Sequence, residues 1–193
     1  MINTIKYDCA NIYELIDNFG KDTVNNFTSN FICSKNIEIQ DFLKKNAYEF
    51  ALKFQAITYF IFSKETNSLE AYFSLTIKPI DIKSENLSNR ALQRILRISE
   101  LNDENKTVNP AAYLIAQIGK KDGSDININD IFEFIDIVIK RIQKSCGGVV
   151  EFLESENNEK LIDIYKKKGF NIFNIRKSKS GEERKLIQMY RLI

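Results

Sequence analysis

The 193-residue sequence has no histidine and no tryptophan, two prolines, seven glycines and three cysteines. Without histidine, the common imidazole metal sites, Ser-His and Cys-His nucleophile pairs and imidazole general bases are excluded. Cys9, Cys33 and Cys146 are scattered, odd in number and without C-x-x-C spacing, so they signal neither a disulfide framework nor a zinc site. No uninterrupted apolar run approaches the ~18 residues of a membrane-spanning helix. The opening MINTIKYDCANIYEL has no basic region followed by an apolar core. A cytoplasmic protein with no membrane segment is expected.

What is present fits a soluble globular chain: 44% hydrophobic and 28% charged residues, in a length suited to one domain with a substantial core. The net charge of +2 is unevenly spread, because residues 156–193 carry ten Lys+Arg against five Asp+Glu. A basic C-terminal fifth suits phosphates or RNA, and suits equally well the solvated faces of terminal strands and a helix.

Periodicity orders the elements. Ile2 to Tyr7 reads as a strand, and Asn11 to Phe19 as a helix with Ile12, Leu15, Ile16 and Phe19 on one face. Glu38 to Phe54 is a longer helix. Ala56–Ser63 and Leu69–Ile80, rich in β-branched and aromatic residues around the polar KETNS, form a hairpin. A helix over Ser88–Leu101 and a loop over Asn105–Pro110 lie within a polar insertion at about 82–109. Ala111–Gly119 is an apolar central strand, followed by the loop KKDGSDININ and a helix over Asp130–Ser145 with Asp130 and Glu133 in a capping-box arrangement. Gly147 and Gly148 stop that helix. Then come the strand Val149–Ser155, the helix Asn157–Lys168, the strand Phe170–Arg176, the turn KSKSGEER and the strand Lys185–Ile193. Strands interleaved with helices and hairpins indicate a mixed α/β (α+β) sheet.

A strand, a glycine-containing polar loop, a helix, a strand, then a helix ending in IYKKKGF before another strand resembles the GNAT (Gcn5-related N-acetyltransferase) superfamily. The resemblance covers residues 56–193, with the two preceding helices where the family has them. It implies a single domain over 1–193: a mostly antiparallel twisted sheet flanked by helices and splayed at its central parallel strands. It also implies acetyl-CoA as co-substrate, no metal, and acetyl transfer to a primary amine. DFLKKNAYEF followed by ITYFIF and AYFSLT is similar to the toxin acetyltransferases within that superfamily. For those, the resemblance implies an aminoacyl-tRNA acceptor and a small DNA-binding antitoxin as partner.

The family's phosphate loop reads Gln/Arg-x-x-Gly-x-Gly/Ala at a helix start, where backbone N–H groups and the helix dipole favour a pyrophosphate. Its counterpart here runs from Lys120 and Lys121 through Gly123 and Ser124, with Asp122 and Asp125 as departures that repel an anion unless they point away. The family's asparagine, seven residues before its tyrosine, matches Asn158, which would contact the pantetheine arm. The tyrosine followed by x-x-x-Gly-Phe matches Tyr165 with Gly169 and Phe170. The resemblance also implies a backbone N–H donor to the thioester carbonyl on the central strand, near Ile115, Ala116, Gln117 and Ile118.

Amide formation from a thioester needs a neutral amine, a polarised carbonyl and a proton for the departing thiolate, and it needs no covalent intermediate. A tyrosine hydroxyl, protonated at neutral pH with an ordinary pKa of about 10, can supply that proton. Tyr165 is therefore the candidate general acid, and Glu154 the candidate base for the amine. Both have plain alternatives: Tyr165 as a core aromatic on the face of Leu161 and Ile164, and Glu154 as a solvated surface carboxylate. The acceptor stays open between a small molecule, a protein amine and aminoacyl-tRNA. A non-catalytic module binding CoA or protein remains the other reading, and the 82–109 insertion is open between covering the acceptor site and mediating a homodimer.

Overall fold

The computed structural model describes residues 1–177 and 184–193, so the expected turn KSKSGEER falls almost wholly outside the described residues. In chain order the strands and helices are β1 (Ile2–Asn3), β2 (Tyr7–Asn11), α1 (Ile12–Phe19), α2 (Lys21–Ser29), α3 (Ile37–Asp41), α4 (Ala47–Leu52), β3 (Ile57–Ser63) and β4 (Leu69–Pro79). There follow β5 (Ile82–Lys83), α5 (Asn89–Ile95), β6 (Leu101–Asn102), β7 (Thr107–Val108), β8 (Ala111–Lys120) and α6 (Ile128–Cys146). The chain ends with β9 (Val150–Glu156), α7 (Glu159–Lys167), β10 (Asn171–Lys177) and β11 (Lys185–Leu192). These elements group into two compact units: Met1–Thr76 with Ala116–Arg141, and Ile77–Ile115 with Ile142–Ile193.

In the first unit the strand order is β1-β2-β3-β4-β8. The β1/β2, β2/β3 and β3/β4 pairs are antiparallel, with Cys9 opposite Ile61 and Phe60 opposite Tyr72. The strand expected over Ile2 to Tyr7 is two short strands joined by a turn, in which Thr4 N–H donates to the Tyr7 carbonyl at 2.8 Å. Helix α1 begins as expected. The Asn11 side chain accepts from the Glu14 N–H at 2.9 Å and the Glu14 carboxylate accepts from the Asn11 N–H at 3.0 Å, closing a capping box. It stops at Gly20, whose φ of 78° lies outside the helical range.

Between α3 and α4 the chain makes a π turn over Phe42–Asn46, so the long helix expected over Glu38–Phe54 is helical but not uniformly α. At this turn the Tyr72 hydroxyl donates to the Ile39 carbonyl at 2.5 Å, and the Phe42 ring stacks on Tyr72 with centroids 6.3 Å apart. A side chain competing for a helical carbonyl is a known cause of such departures. Ala10, Ile12, Leu15, Phe31, Leu43, Phe60 and Tyr72 form the core of this unit.

In the second unit the order is β8-β9-β11-β10, with β8 parallel to β9 and the other pairs antiparallel. The sheet is thus mixed and mostly antiparallel, with helices packed on it, as the sequence indicates. The 82–109 insertion has more order than expected. The helix expected to reach Leu101 ends at Ile95, and the expected loop over Asn105–Pro110 contains β7, which pairs with both β5 and β6. Val108, opposite Ile82 and Leu101, is the buried centre of that small sheet. The Asn86 side chain donates to the Phe173 carbonyl at 2.8 Å and the Arg94 guanidinium to the Ile193 carbonyl at 2.5 Å, tying the insertion to the C-terminal strands.

Candidate active site

The glycine loop lies in the first unit. Two backbone bonds fix its entry: Lys121 N–H donates to the Glu70 carbonyl at 2.9 Å and Asp122 N–H to the Ile32 carbonyl at 2.8 Å. The Asp122 carboxylate turns onto the same neighbouring segment and accepts from Ser34 N–H at 3.0 Å. Hydrogen bonds from Ser34 hold that carboxyl below the usual carboxylate range. Asp122 is therefore a tether for the loop. Gly123 follows at φ 75°, in the left-handed region that favours glycine.

Beyond it Ser124 N–H donates to the Lys121 carbonyl at 3.2 Å, the Ser124 hydroxyl accepts from Ile126 N–H at 3.2 Å, and the fully buried Ile126 pins the loop to the core. Helix α6 starts earlier than expected. Asn127 caps it by accepting from Asn129 N–H at 2.8 Å and Asp130 N–H at 3.2 Å, while the Asp130 carboxylate accepts from Asn127 N–H at 3.1 Å. The capping box is thus Asn127 with Asp130, three residues upstream of the expected Asp130 with Glu133, because an Asn at that place satisfies two free amides of the first turn. The amides of Gly123, Asp125 and Ile128 have no acceptor among the described residues. They are the backbone donors the loop can offer an anion, flanked by the exposed Lys120 and half-buried Lys121.

Strand β8 leads into this loop. Its Ala116, Gln117 and Ile118 are half-buried in the first unit, whereas Ile115 is buried in the second, opposite Leu153 of β9. Gly119 at its end has a steric reason: an added Cβ would lie 2.2 Å from the Tyr72 ring and 2.7 Å from Ile39.

Glu154, Asn158 and Tyr165 all belong to the second unit. Asn158 is exposed and caps α7, its side-chain carbonyl accepting from Lys160 N–H at 3.0 Å and Leu161 N–H at 3.3 Å. Among the described residues only the oxygen is used, so its NH2 group can face a ligand. Tyr165 sits half-buried on the last turn of α7, its ring edge-on to Phe170 with centroids 6.2 Å apart. Its carbonyl accepts from Lys168 N–H at 3.0 Å and Phe170 N–H at 3.1 Å, closing the helix at Gly169, φ 88°. Burial pushes the Tyr165 phenol above its ordinary pKa, and the negative charge of Glu156 adds to the rise. The hydroxyl therefore stays protonated well beyond neutral pH.

Glu154 has another environment. Both its oxygens accept from the Arg176 guanidinium, the first at 2.5 Å, and Gln188 donates to it at 2.7 Å. Burial raises its pKa, but the hydrogen bonds from Arg176 and Gln188 outweigh it and hold the carboxyl below the usual range. A carboxylate so engaged accepts a further proton poorly, which weighs against its use as a base. The solvated carboxylate considered for Glu154 is instead a partly buried ion pair.

Sequence reasoning missed two residues beneath α7. Glu151 of β9 is fully buried and faces Arg191 of β11 across the sheet, with bonds of 2.7 and 3.0 Å between guanidinium and carboxylate. The available signal was a charge in the middle of each of two apolar runs, VVEFL and MYRLI.

No family model matches the sequence, and no curated protein matches it. Solved structures do. A mutant of KacT matches with a TM-score of 0.60 at 14% identity, covering 94% of each chain. AtaT complexed with acetyl-methionyl-tRNAfMet matches with a TM-score of 0.59 at 15% identity, over 83% of this chain and 85% of that one. AtaTR bound with AcCoA matches with a TM-score of 0.59 at 11% identity, over 98% and 94%. The chain has the GNAT fold. At these identities the likeness is one of fold, and within the GNAT fold the β8-loop-α6 and β9-α7 segments follow the order that the sequence motifs indicate.

Proposed function

We propose that the protein is an acetyl-CoA-dependent N-acetyltransferase that moves an acetyl group to a primary amine by direct attack. The observation that carries this reading is Tyr165, a phenol kept protonated by burial at the end of α7, on the GNAT fold and in the motif spacing. The amides of Gly123, Asp125 and Ile128, without an acceptor among the described residues, and Lys120 and Lys121 suit a pyrophosphate, and the Asn158 NH2 group taken by itself suits an amide of a pantetheine arm. Asp122 leaves this set because its carboxylate is committed to Ser34.

In the step itself the amine nitrogen forms a bond to the thioester carbon and the carbon–sulfur bond breaks. The Tyr165 O–H proton passes to the departing thiolate, while the amine proton passes to water. A backbone N–H between Ile115 and Ile118 serves the carbonyl oxygen. Glu154 has no part in the step.

For the acceptor we propose the amine of aminoacyl-tRNA, with an antitoxin protein as partner. Support comes from the fold neighbours: one is AtaT complexed with acetyl-methionyl-tRNAfMet, and another is AtaT bound to the C-terminus of the antitoxin AtaR and acetyl-CoA.

Acetyl-CoA at about 100-fold over its Kd should stabilise the folded protein by about 2.7 kcal/mol, read as a rise in Tm. Tyr165→Phe should keep that rise and lose turnover by about 10²- to 10⁴-fold, the usual worth of a general acid. An unchanged Tm with acetyl-CoA overturns the reading, and unchanged turnover in Tyr165→Phe removes Tyr165 from the chemistry.

A further inference from the structure

A buried ion pair needs a reason, since taking two charges out of water costs several kcal/mol per ion and an apolar pair of similar volume is often as stable or more so. Glu151 is fully buried and the Arg191 side chain is 13% exposed, so desolvation is nearly complete. Their neighbours along the strands, Val150, Phe152 and Tyr190, are buried and uncharged. Cross-strand register places Arg191 opposite Glu151 within a seven-pair antiparallel ladder, from Leu186–Glu156 to Leu192–Val150.

What only the guanidinium provides is a set of simultaneous contacts. Two of its nitrogens bond the Glu151 carboxylate at 2.7 and 3.0 Å, and the remaining one donates to the Lys168 carbonyl at 3.1 Å. Its flat face lies over the Phe170 ring, 4.8 Å from the centroid. Lys168 and Phe170 are the two residues whose N–H groups bond the Tyr165 carbonyl, and Phe170 is the ring packed edge-on to Tyr165. The contacts of Arg191 with Lys168 and Phe170 therefore fall on residues that bond Tyr165 directly.

We propose that Glu151 and Arg191 are positioning residues: the carboxylate orients the guanidinium, and the guanidinium fixes the end of α7 and the Phe170 ring so that the Tyr165 hydroxyl points in one direction. This rests on the function proposed above for Tyr165 but not on the identity of the acceptor. Arg191→Lys is the informative substitution. Lysine keeps the charge and pairs with Glu151, but it has no fork to reach the Lys168 carbonyl as well and no plane to lay on Phe170.

The test labels the full chain with ¹³Cζ-tyrosine, the Tyr165 signal being the one lost in Tyr165→Phe. In folded Arg191→Lys, the Tyr165 resonance should shift or broaden. In transfer assays kcat should fall by about tenfold or more, since small misplacements cost on the order of 10²-fold. The KM for acetyl-CoA should stay within about twofold of the wild-type value, as expected when an interaction made only in the transition state is lost. In the Tyr165→Phe background, Arg191→Lys should cost nothing further.

An unmoved Tyr165 resonance in a folded variant overturns the proposal, as does an undiminished additional loss in the Tyr165→Phe background. Should Arg191→Lys not fold, the paired apolar variant Glu151→Met with Arg191→Met, the kind of replacement that buried ion pairs commonly tolerate, is read the same way. If the wild type transfers no acetyl group, the proposed function fails while the resonance still decides the positioning role.

Discussion

Asn158 caps a helix with one atom and, in the proposed function, offers another to the ligand. Its oxygen closes the first turn of α7, which explains an Asn there on capping grounds alone. Its nitrogen is the part that the proposed pantetheine contact uses. The two roles separate by substitution. Asn158→Asp retains an oxygen acceptor for the cap, so Tm should hold, while the KM for acetyl-CoA should rise several-fold as a donor becomes an acceptor. Asn158→Ala removes both, and should lower stability by about 1 kcal/mol, or about 2–4 °C in Tm for a chain of this size. Equal KM values for acetyl-CoA in Asn158→Asp and the wild type would assign the residue to the cap alone. Tyr165 is a similar case, since its ring packs on Phe170 as a core aromatic does while its hydroxyl keeps the proton that the proposed reaction would use.

The elements differ in how far their sequences reveal them. Helices α1 and α7 are legible because a capping Asn precedes a strong apolar stripe, and the hairpin β3–β4 because β-branched and aromatic residues flank a polar turn. Helix α2 is not legible: KDTVNNFTS buries only Val24 and Thr28, and helical spacing cannot be read from two contacts. The small sheet β5-β7-β6 escapes for a related reason, since each strand is two residues long and is held by pairing. The candidate site divides in the same way. Local motifs mark Gly123, Asn158 and Tyr165, while the Ser34 tether and the Arg191 fork join residues 88 and 23 positions apart in sequence and leave no local trace.

Glu154 provides a test at this scale. It bridges β9 to Arg176 of β10 and Gln188 of β11, and its folded pKa lies below the unfolded value. Such a group contributes its full stabilisation above the unfolded pKa of about 4.3, and loses it as pH falls through the lower folded value. Glu154→Gln should therefore be less stable than the wild type at pH 7, with the Tm difference shrinking as pH falls below about 4. Acetyl transfer at neutral pH should persist in this variant. Loss of turnover with acetyl-CoA binding intact would restore Glu154 as a base.

Across the whole chain, charge bears on the acceptor. Residues 156–193 hold ten Lys+Arg against five Asp+Glu, leaving the rest of the protein acidic. Lys166 and Lys167 are exposed at the end of α7, as are Lys177 on β10 and Lys185 on β11. An amine carried on a nucleic acid brings many phosphates, and neutralising them releases counterions. The apparent affinity for an aminoacyl-tRNA acceptor should then fall steeply with salt, on a log–log plot with a slope of about −0.7 to −0.9 per phosphate contacted. A small amine brings no phosphates and should show almost no such slope. Incubating the protein with labelled acetyl-CoA, total aminoacyl-tRNA, free amino acids and ribosomal protein tests the choice directly. Label should enter the RNA fraction, be released by base along with the amino acid, and vanish from reactions with Tyr165→Phe. Label in the amino acid or protein fraction alone, with translation of a reporter unaffected, would keep the acetyltransferase and discard the toxin-type acceptor.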